Sequence, residues 1–101
     1  MSFRYEFDWV PAKATSNKVK HGVLFDDAVL VFGDPLALSR LEDGAVSNED
    51  RWVTIGLNPA TGLLLVVHTF VEIAEDHAYI RIISARKPTK REKRHYEQFT
   101  N

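Results

Sequence analysis

Basic side chains are concentrated near the end of this sequence. Six lysines and arginines lie within residues 86–94, where Glu92 is the only acidic residue. Residues 1–50 hold five Lys and Arg against nine Asp and Glu, a net charge of −4. Residues 51–101 hold eight against five, a net charge of +3. A local positive excess of this size attracts phosphates or an acidic partner, whatever the total charge. A solvated helix face is the competing interpretation.

Three arginines are candidates for binding a phosphate, because a guanidinium stays charged and holds two phosphate oxygens at once. Arg86 is the strongest, since it lies where the last predicted strand gives way to the last helix. Its alternative role is a salt bridge to the acidic N-terminal half. Arg81 lies within an apolar strand, so it either lines an open concave face or pairs with a carboxylate such as Glu72. Arg51 opens another strand, and it either joins one of these arginines or is a rim charge.

The spacing of two of these arginines restricts how they can combine. Strict alternation along a strand places Arg81 and Arg86 on opposite faces. They share one site only if the strand bends or ends before Arg86.

Two histidines are candidates for proton transfer, since imidazole titrates near neutral pH. His21 is predicted at a helix C-terminus, where capping the last carbonyls is the alternative role. His68 lies in the most apolar strand, where a hydrogen-bonded core residue is the commoner role. The four histidines show no ligand spacing with a supporting carboxylate, so no metal site and no cofactor are predicted. The absence of cysteine excludes disulfides and thiolate metal sites.

Local signals place two helices in the first third of the chain. The first is predicted over Pro11–His21, because proline suits the first helical turn and Gly22 suits a left-handed stop. The second is predicted over Phe25–Phe32, with acidic residues in its first turn and residues 33–35 (Gly-Asp-Pro) ending it.

A third helix is predicted at the end of the chain. Thr89 followed by Glu92 three residues later is a capping-box pattern. Tyr96 and Phe99 share a side with Glu92, so they are predicted to dock this helix on the sheet.

The middle of the chain predicts a sheet. Apolar and β-branched runs indicate strands over Arg51–Leu57, Leu63–Val71 and His77–Ala85, the second being central. Tyr5–Trp9 is predicted as a short strand. Leu36–Leu41 is a candidate edge strand, and the polar stretch Glu42–Asp50 is predicted to be a loop.

These elements predict one α+β domain over residues 1–101, with an antiparallel sheet, two N-terminal helices and a C-terminal helix. The charged start MSFRYEFDW is unlike a signal peptide, and the longest apolar run, Leu63–Val67, is too short to cross a bilayer. No membrane association is predicted, and a cytoplasmic protein is the default expectation.

Three segments, in this order and spacing, resemble the BrnT family. They are Trp9–Lys13 leading to Lys20–Val23, then Phe25–Phe32 with Asp34-Pro35, and Ile80–Lys87 leading to Lys90, Arg91, Glu92 and Tyr96. The resemblance extends from about Phe7 to Glu97. Two positions depart from the family pattern. Leu24 replaces a small polar residue that usually caps the second helix, and Pro88 stands where alanine is commoner.

The resemblance implies a RelE-like fold and an RNA-cleaving toxin that is neutralised by a cognate BrnA-type antitoxin. It further implies that the antitoxin covers the positive surface and that operator DNA is bound only through the antitoxin. Whether the toxin forms a homodimer or a heterotetramer with the antitoxin stays open.

Metal-independent RNA cleavage needs a base for the 2′-hydroxyl, cations for the pentavalent phosphorane, and an acid for the departing 5′-oxygen. The candidates for these catalytic roles are Arg86, Arg81, Arg51, His21 and His68. The candidates for holding the RNA backbone are Lys20, Lys87, Lys90, Arg91 and Tyr96, although packing is the alternative role of Tyr96.

A different class of function is compatible with the same residues. The basic helix would then only dock an acidic antitoxin or a nucleic acid, and the chain would be a non-catalytic module or a degenerate toxin. Incubation of the purified protein with RNA separates these hypotheses.

Overall fold

A computed structural model of the chain describes residues 4–42 and 50–100. Within these ranges it contains six strands and three α-helices, in the mixed α+β arrangement that the sequence predicts. The strands are β1 (Arg4–Asp8), β2 (Leu38–Leu41), β3 (Trp52–Asn58), β4 (Gly62–His68), β5 (Val71–Ala74) and β6 (His77–Arg86). The helices are α1 (Pro11–His21), α2 (Phe25–Val29) and α3 (Lys90–Thr100). The loop predicted over Glu42–Asp50 falls mostly on residues 43–49, which lie outside the described residues.

The strands form one sheet in the order β1-β6-β4-β3-β2, and β5 also pairs with β6. β4 lies between β6 and β3, which confirms the prediction of a central strand, and β2 is an edge strand. The prediction of a wholly antiparallel sheet is wrong at the other edge, where β1 pairs with β6 in parallel. Because β1 and β6 are far apart in sequence, no local turn signal indicates the direction of their pairing.

The strand predicted over Leu63–Val71 is interrupted in the structure. β4 ends at His68, and β5 begins at Val71. At the break, the Thr69 amide donates to the Arg81 carbonyl (3.0 Å), and the Thr69 hydroxyl accepts from the Arg81 amide (3.1 Å). A side-chain oxygen thus replaces a carbonyl in the ladder, so the regular pairing is broken at this residue.

The two N-terminal helices begin where the sequence predicts. α1 starts with Pro11 in its first turn and stops at Gly22, whose φ of 70° is left-handed and whose amide bonds the Lys18 carbonyl (2.9 Å). α2 is shorter than predicted, because the chain tightens after Val29 into a 3₁₀ turn over Leu30–Gly33. This turn packs directly on β3, since a Cβ added at Gly56 would lie 2.7 Å from the Val31 side chain.

The sheet has a different covering on each face. One face packs against α1, α2 and the 3₁₀ turn to form the buried core: Val23, Phe25, Ala28, Val31, Leu64, Val66, Ile80, Ile82 and Ala85. Because side chains alternate along a strand, Val53, Ile55 and Leu65 point to the opposite face, which α3 covers in part. No helix in the described ranges is both long and apolar enough to cross a membrane.

Candidate active site

The side chain of Arg86 is held by a carboxylate at the start of α3. Its Nη1 and Nη2 donate to the two oxygens of Glu92 at 2.8 and 3.0 Å, and Nη1 also donates to the Lys87 carbonyl at 3.3 Å. The predicted salt bridge therefore exists, but its acid is Glu92 rather than a residue of the N-terminal half. A pair of parallel charge-assisted bonds fixes the plane of the guanidinium.

Glu92 has a second role as the end of a capping box. Its carboxylate accepts from the Thr89 amide (2.8 Å), and its own amide donates to the Thr89 hydroxyl (3.1 Å), which confirms the predicted pattern. The hydrogen bond from Arg86 is the main reason that the pKa of Glu92 falls to about 2. One carboxylate thus stabilises the first turn of α3 and orients Arg86.

Arg86 keeps one edge of its guanidinium free. Nε and the second Nη2 hydrogen have no hydrogen-bond partner within the described residues, and the side chain is 38% exposed. The free Nε–Nη2 edge has the spacing that binds two oxygens of a phosphate.

A register shift in β6 changes the predicted relation between Arg81 and Arg86. Val67 pairs with Ser84, but the next residue, His68, pairs with Ile82, so Ile83 is an extra residue in the strand. This irregularity inverts the alternation beyond Ile83. Both arginines consequently lie on the face opposite the buried core, whereas strict alternation predicts opposite faces.

Arg81 is paired with a carboxylate from the neighbouring strand β1. Its Nε lies 3.2 Å from Asp8 Oδ1, and Tyr79 also donates a hydrogen bond to Asp8. The hydrogen bond from Arg81 is the largest cause of the lowered pKa of Asp8. Pairing with a carboxylate is therefore the correct alternative for this arginine, but the partner is Asp8 and not the predicted Glu72.

Beside the end of β6, the side chain of Asn17 in α1 makes the backbone hydrogen bonds that a neighbouring strand would otherwise make. Its side-chain amide donates to the Ala85 carbonyl (2.9 Å) and accepts from the Ala85 amide (3.0 Å). It also donates to the Val23 carbonyl (3.0 Å), and the residue is buried. The backbone next to Arg86 is thus fixed by a side chain, because β1 ends opposite Arg81.

A small basic hollow lies between α1 and the end of β6. We call it the α1 hollow. It has a volume of about 230 Å³ and is lined by Lys13, Ser16, Asn17, Lys20, His21, Ile83 and Ser84. Ser84 is two residues from Arg86 on the same side of the strand, a distance of roughly 6.6 Å. The hollow brings Lys20 and His21, both predicted as site residues, close to the strand that carries Arg86.

Helix α3 is anchored a second time by Tyr96, which is buried. Its hydroxyl donates to Asp34 (2.7 Å), which also accepts from the amides of Leu36 (2.9 Å) and Leu57 (2.8 Å). Burial opposes the ionisation of Asp34, but these hydrogen bonds outweigh it and lower the pKa. Burial, with the Asp34 carboxylate, raises the pKa of Tyr96 to about 12. The structure therefore favours packing as the role of Tyr96.

A larger groove separates α3 from the sheet. We call it the α3 groove. It has a volume of about 430 Å³ and is lined by Leu38, Ser39, Arg40, Val53, Ile55, Leu65, Arg91, Glu92, His95 and Phe99. Glu92 belongs both to this groove and to the Arg86 ion pair. The predicted backbone-binding residue Arg91 therefore lies on the wall of the groove.

His68 is buried on the other face of the sheet. Its Nδ1 donates to the Thr69 carbonyl (2.8 Å), so in the neutral ring Nε2 accepts from the Thr54 hydroxyl (2.7 Å). Burial lowers the pKa of His68 and keeps the ring neutral. The structure does not bring it together with Arg86. The described residues also contain no group of three His, Cys, Asp or Glu arranged around a possible metal site.

The remaining predicted residues lie at the margins of this surface. Lys87 and Lys90 are exposed on the connection from β6 to α3 and on its first turn. Arg51 is half-buried one residue before β3, and its carbonyl accepts from the Glu42 amide (2.8 Å). It precedes the N-terminal end of β3, whereas Arg86 lies at the C-terminal end of β6.

A family model described as the ribonuclease toxin BrnT of type II toxin–antitoxin systems matches residues 9–92. This match covers most of the sequence. The chain belongs to the BrnT family. Membership implies a toxin–antitoxin role and an antitoxin partner, and at the family level it indicates ribonuclease activity.

The fold is also similar to that of a solved BrnT structure. The 1.1 Å crystal structure of the ribonuclease toxin BrnT from Brucella abortus aligns with a TM-score of 0.56 and 18% sequence identity. The alignment covers 86% of this chain and 99% of that one. At this identity the likeness concerns the fold alone. No curated protein matches the chain.

Two of the segments that carry the BrnT resemblance meet in space. Residues 20–23 and 80–87 are joined through Asn17, which bonds the backbone of both Val23 and Ala85. Sequence reasoning missed Asn17, although asparagine inside a helix is unfavourable unless its amide has a specific partner. It also missed Glu92 as the partner of Arg86, because the capping box alone explains that residue.

Proposed function

We propose that this BrnT-family chain is an endoribonuclease that binds the scissile phosphate of RNA at the free edge of Arg86. One observation carries the proposal. Glu92 fixes one edge of Arg86, and the Nε–Nη2 edge has no hydrogen-bond partner within the described residues. Glu92 itself lines the α3 groove, and Ser84, two residues before Arg86, lines the basic α1 hollow. A pre-oriented cation with unpaired donors is what stabilisation of a developing phosphorane requires.

The proposed reaction uses the chain's own residues and no metal. A base removes the proton of the 2′-hydroxyl, and its oxygen forms a bond to the adjacent phosphorus. The bond from phosphorus to the 5′-oxygen then breaks, and that oxygen leaves with its electron pair and takes up a proton. The products are a 2′,3′-cyclic phosphate and a free 5′-hydroxyl. Arg86 holds the non-bridging oxygens throughout.

We assign proton transfer to His21, which lines the α1 hollow beside Ser84. Lys20 in the same hollow and Lys87, Lys90 and Arg91 near the start of α3 hold the backbone on either side of the scissile phosphate. The burial of His68 and the Asp8 pairing of Arg81 support structural roles for these two residues. Arg51 contributes only long-range charge.

The partner is proposed to be a BrnA-type antitoxin that covers the basic surface and alone contacts operator DNA. The fold is proposed to be RelE-like, as the strand order and the terminal helix suggest. RNA as the substrate makes the cytoplasm the proposed place of action. Binding of the antitoxin to the folded toxin raises the apparent stability of both.

The test is digestion of RNA by the purified chain, with and without ribosomes. Arg86→Ala is expected to lower the cleavage rate by about 10²–10³-fold, the usual effect of removing one transition-state donor. Arg86→Lys keeps the charge without the planar fork and should recover only part of the rate. Arg94→Ala, which removes a guanidinium of the same charge from α3, is the matched control. Cleavage by Arg86→Ala at the wild-type rate removes Arg86 from the chemistry.

The non-catalytic alternative is favoured by one observation, which is that Arg86 already has a carboxylate partner. In that case Arg86 only anchors α3, and the basic surface docks the antitoxin. RNA that stays intact with the wild-type chain, with ribosomes present and antitoxin absent, would decide for this alternative.

A further inference from the structure

The α3 groove adjoins the proposed phosphate position at Arg86. Glu92 lines the groove and bonds Arg86, and Leu65 of the groove floor is the strand partner of Arg86. An RNA whose phosphate is bound at Arg86 therefore has its neighbouring nucleotide within reach of the groove. Its volume of about 430 Å³ lies in the range of about 300–1,000 Å³ that is typical of small-ligand sites.

The floor and one wall of the groove suit a flat apolar group. Val53, Ile55 and Leu65 form an aliphatic floor on the sheet. On the wall, the rings of His95 and Phe99 pack edge to face with their centroids 5.1 Å apart. Phe99 is nevertheless 63% exposed, so most of its ring is available to a ligand. Proteins that bind single-stranded RNA commonly stack bases on such rings.

Two different elements contribute positive charge to the same groove. Arg40 comes from β2, and Arg91 comes from α3. A ligand with a planar apolar part and a negative charge is complementary to this combination, and a nucleotide has both. A base that is paired in a duplex cannot enter under a helix, so the groove selects unpaired nucleotides.

We infer that the α3 groove receives one unpaired nucleotide next to the phosphate at Arg86. Its base packs between the aliphatic floor and the His95–Phe99 pair, and its phosphate lies between Arg40 and Arg91. This inference rests on the proposed function for its position beside the scissile phosphate. It adds a nucleotide subsite that accepts single-stranded RNA and excludes duplex RNA.

The test measures binding, so that it does not depend on cleavage. A fluorescent single-stranded RNA carrying 2′-O-methyl groups, which prevent attack by the 2′-oxygen, is titrated with the full chain. Phe99→Ala is expected to weaken binding about 5- to 150-fold, which corresponds to roughly 1–3 kcal/mol for the stacking of one base. Phe99→Tyr should restore it. Since Phe99 is mostly exposed, the melting temperature should stay near that of the wild type.

Arg91→Ala gives an independent measurement. Affinity falls as salt rises, so the slope of log affinity against log salt is negative. Loss of one phosphate contact should make this slope less steep by about 0.7 for a single strand. Arg94→Ala is the control on the same helix, because Arg94 does not line the groove. A duplex of the same sequence should bind more weakly, and Phe99→Ala should not change its affinity.

The outcomes separate this inference from the proposed function. Unchanged binding by Phe99→Ala, or equal weakening by Arg91→Ala and Arg94→Ala, overturns the subsite even if the wild type cleaves RNA. Loss of antitoxin binding in Phe99→Ala with unchanged RNA binding assigns the groove to the antitoxin and also overturns it. If the wild-type chain cleaves no RNA but Phe99→Ala still weakens RNA binding, the subsite is supported and the proposed nuclease function is refuted.

Discussion

The middle and the C-terminal end of β6 each carry an arginine bonded to a carboxylate, and the origin of the carboxylate differs. Arg81 takes its partner, Asp8, from the parallel strand beside it. Arg86 takes its partner, Glu92, from the helix that follows it in the chain. Both arginines point to the same face of the sheet, because the extra residue Ile83 lies between them.

The surroundings of the two pairs differ as well. Beside Arg81 the edge of β6 is paired with β1, whereas near Arg86 the edge is held by the side chain of Asn17, which bonds the backbone of Ala85. Glu92, which bonds Arg86, also lines the α3 groove, and Ser84, two residues before Arg86, lines the α1 hollow. Exposure does not distinguish the two arginines, because the side chain of Arg81 is 45% exposed and that of Arg86 is 38% exposed. They differ in their neighbours, because residues next to Arg86 line the α1 hollow and the α3 groove.

The strongest test of this comparison exchanges each arginine for alanine in turn. Arg86→Ala should lower RNA cleavage by about 10²–10³-fold, and Arg81→Ala by less than about threefold, since the proposal assigns the scissile phosphate to Arg86 alone. Initial rates on one RNA substrate give both values. Equal losses in the two variants would show that charge, and not the geometry of the Arg86 end, determines activity.

A second test loosens the Arg86 end without touching a charge. Asn17→Ala leaves the Ala85 amide and carbonyl and the Val23 carbonyl without their side-chain partner, which should cost about 2–3 kcal/mol of unfolding free energy. Urea denaturation measures the change. Ser16→Ala, one residue earlier on the exposed side, is the control and should stay within about 0.5 kcal/mol of the wild type.

The third test uses pH to follow the Glu92 carboxylate. Because the folded-state pKa of Glu92 is about 2 and its ordinary value is 4.5, its stabilising contribution is complete above about pH 4.5. The contribution is lost as the pH falls towards 2. Glu92→Gln should thus be less stable than the wild type at pH 7, by about 1–2 kcal/mol for these partly exposed bonds. The difference in stability between the wild type and Glu92→Gln should shrink between pH 4.5 and 2. Thermal melts across that range measure it, and a difference that stays constant would contradict the lowered pKa of Glu92.

The smallest effect is expected at the other pair. Asp8→Asn should lower the melting temperature less than Glu92→Gln does at pH 7, because Asp8 caps no helix and pairs with the exposed Arg81 and the half-buried Tyr79. RNA cleavage should be unchanged. A larger loss of stability than in Glu92→Gln would mean that the β1 edge, rather than the α3 junction, is the stronger anchor.

Features set by neighbouring residues were predictable from the sequence. Pro11 and Gly22 mark both ends of α1, and Thr89 with Glu92 marks the start of α3. The parallel pairing of β1 was not predictable, because it joins segments about seventy residues apart without a turn to signal direction. The partners of Arg81 and Arg86 depend on tertiary packing in the same way. The sequence alone identified Arg86, Lys20 and His21 as candidate site residues. The hydrogen bonds from the side-chain amide of Asn17, which bring their segments together, are visible only in the fold.

The extra residue at Ile83 makes this part of the chain sensitive to length rather than to composition. Removing that one residue would make Ile82 and Ser84 consecutive, as their partners His68 and Val67 already are, so the ladder would become regular with Ala85 still inward and Arg86 still outward. A residue inserted between Ile83 and Arg86 would instead shift the alternation by one and turn Arg86 towards the interior. Any redesign of this toxin by insertion therefore has to spare the stretch from Ile82 to Arg86.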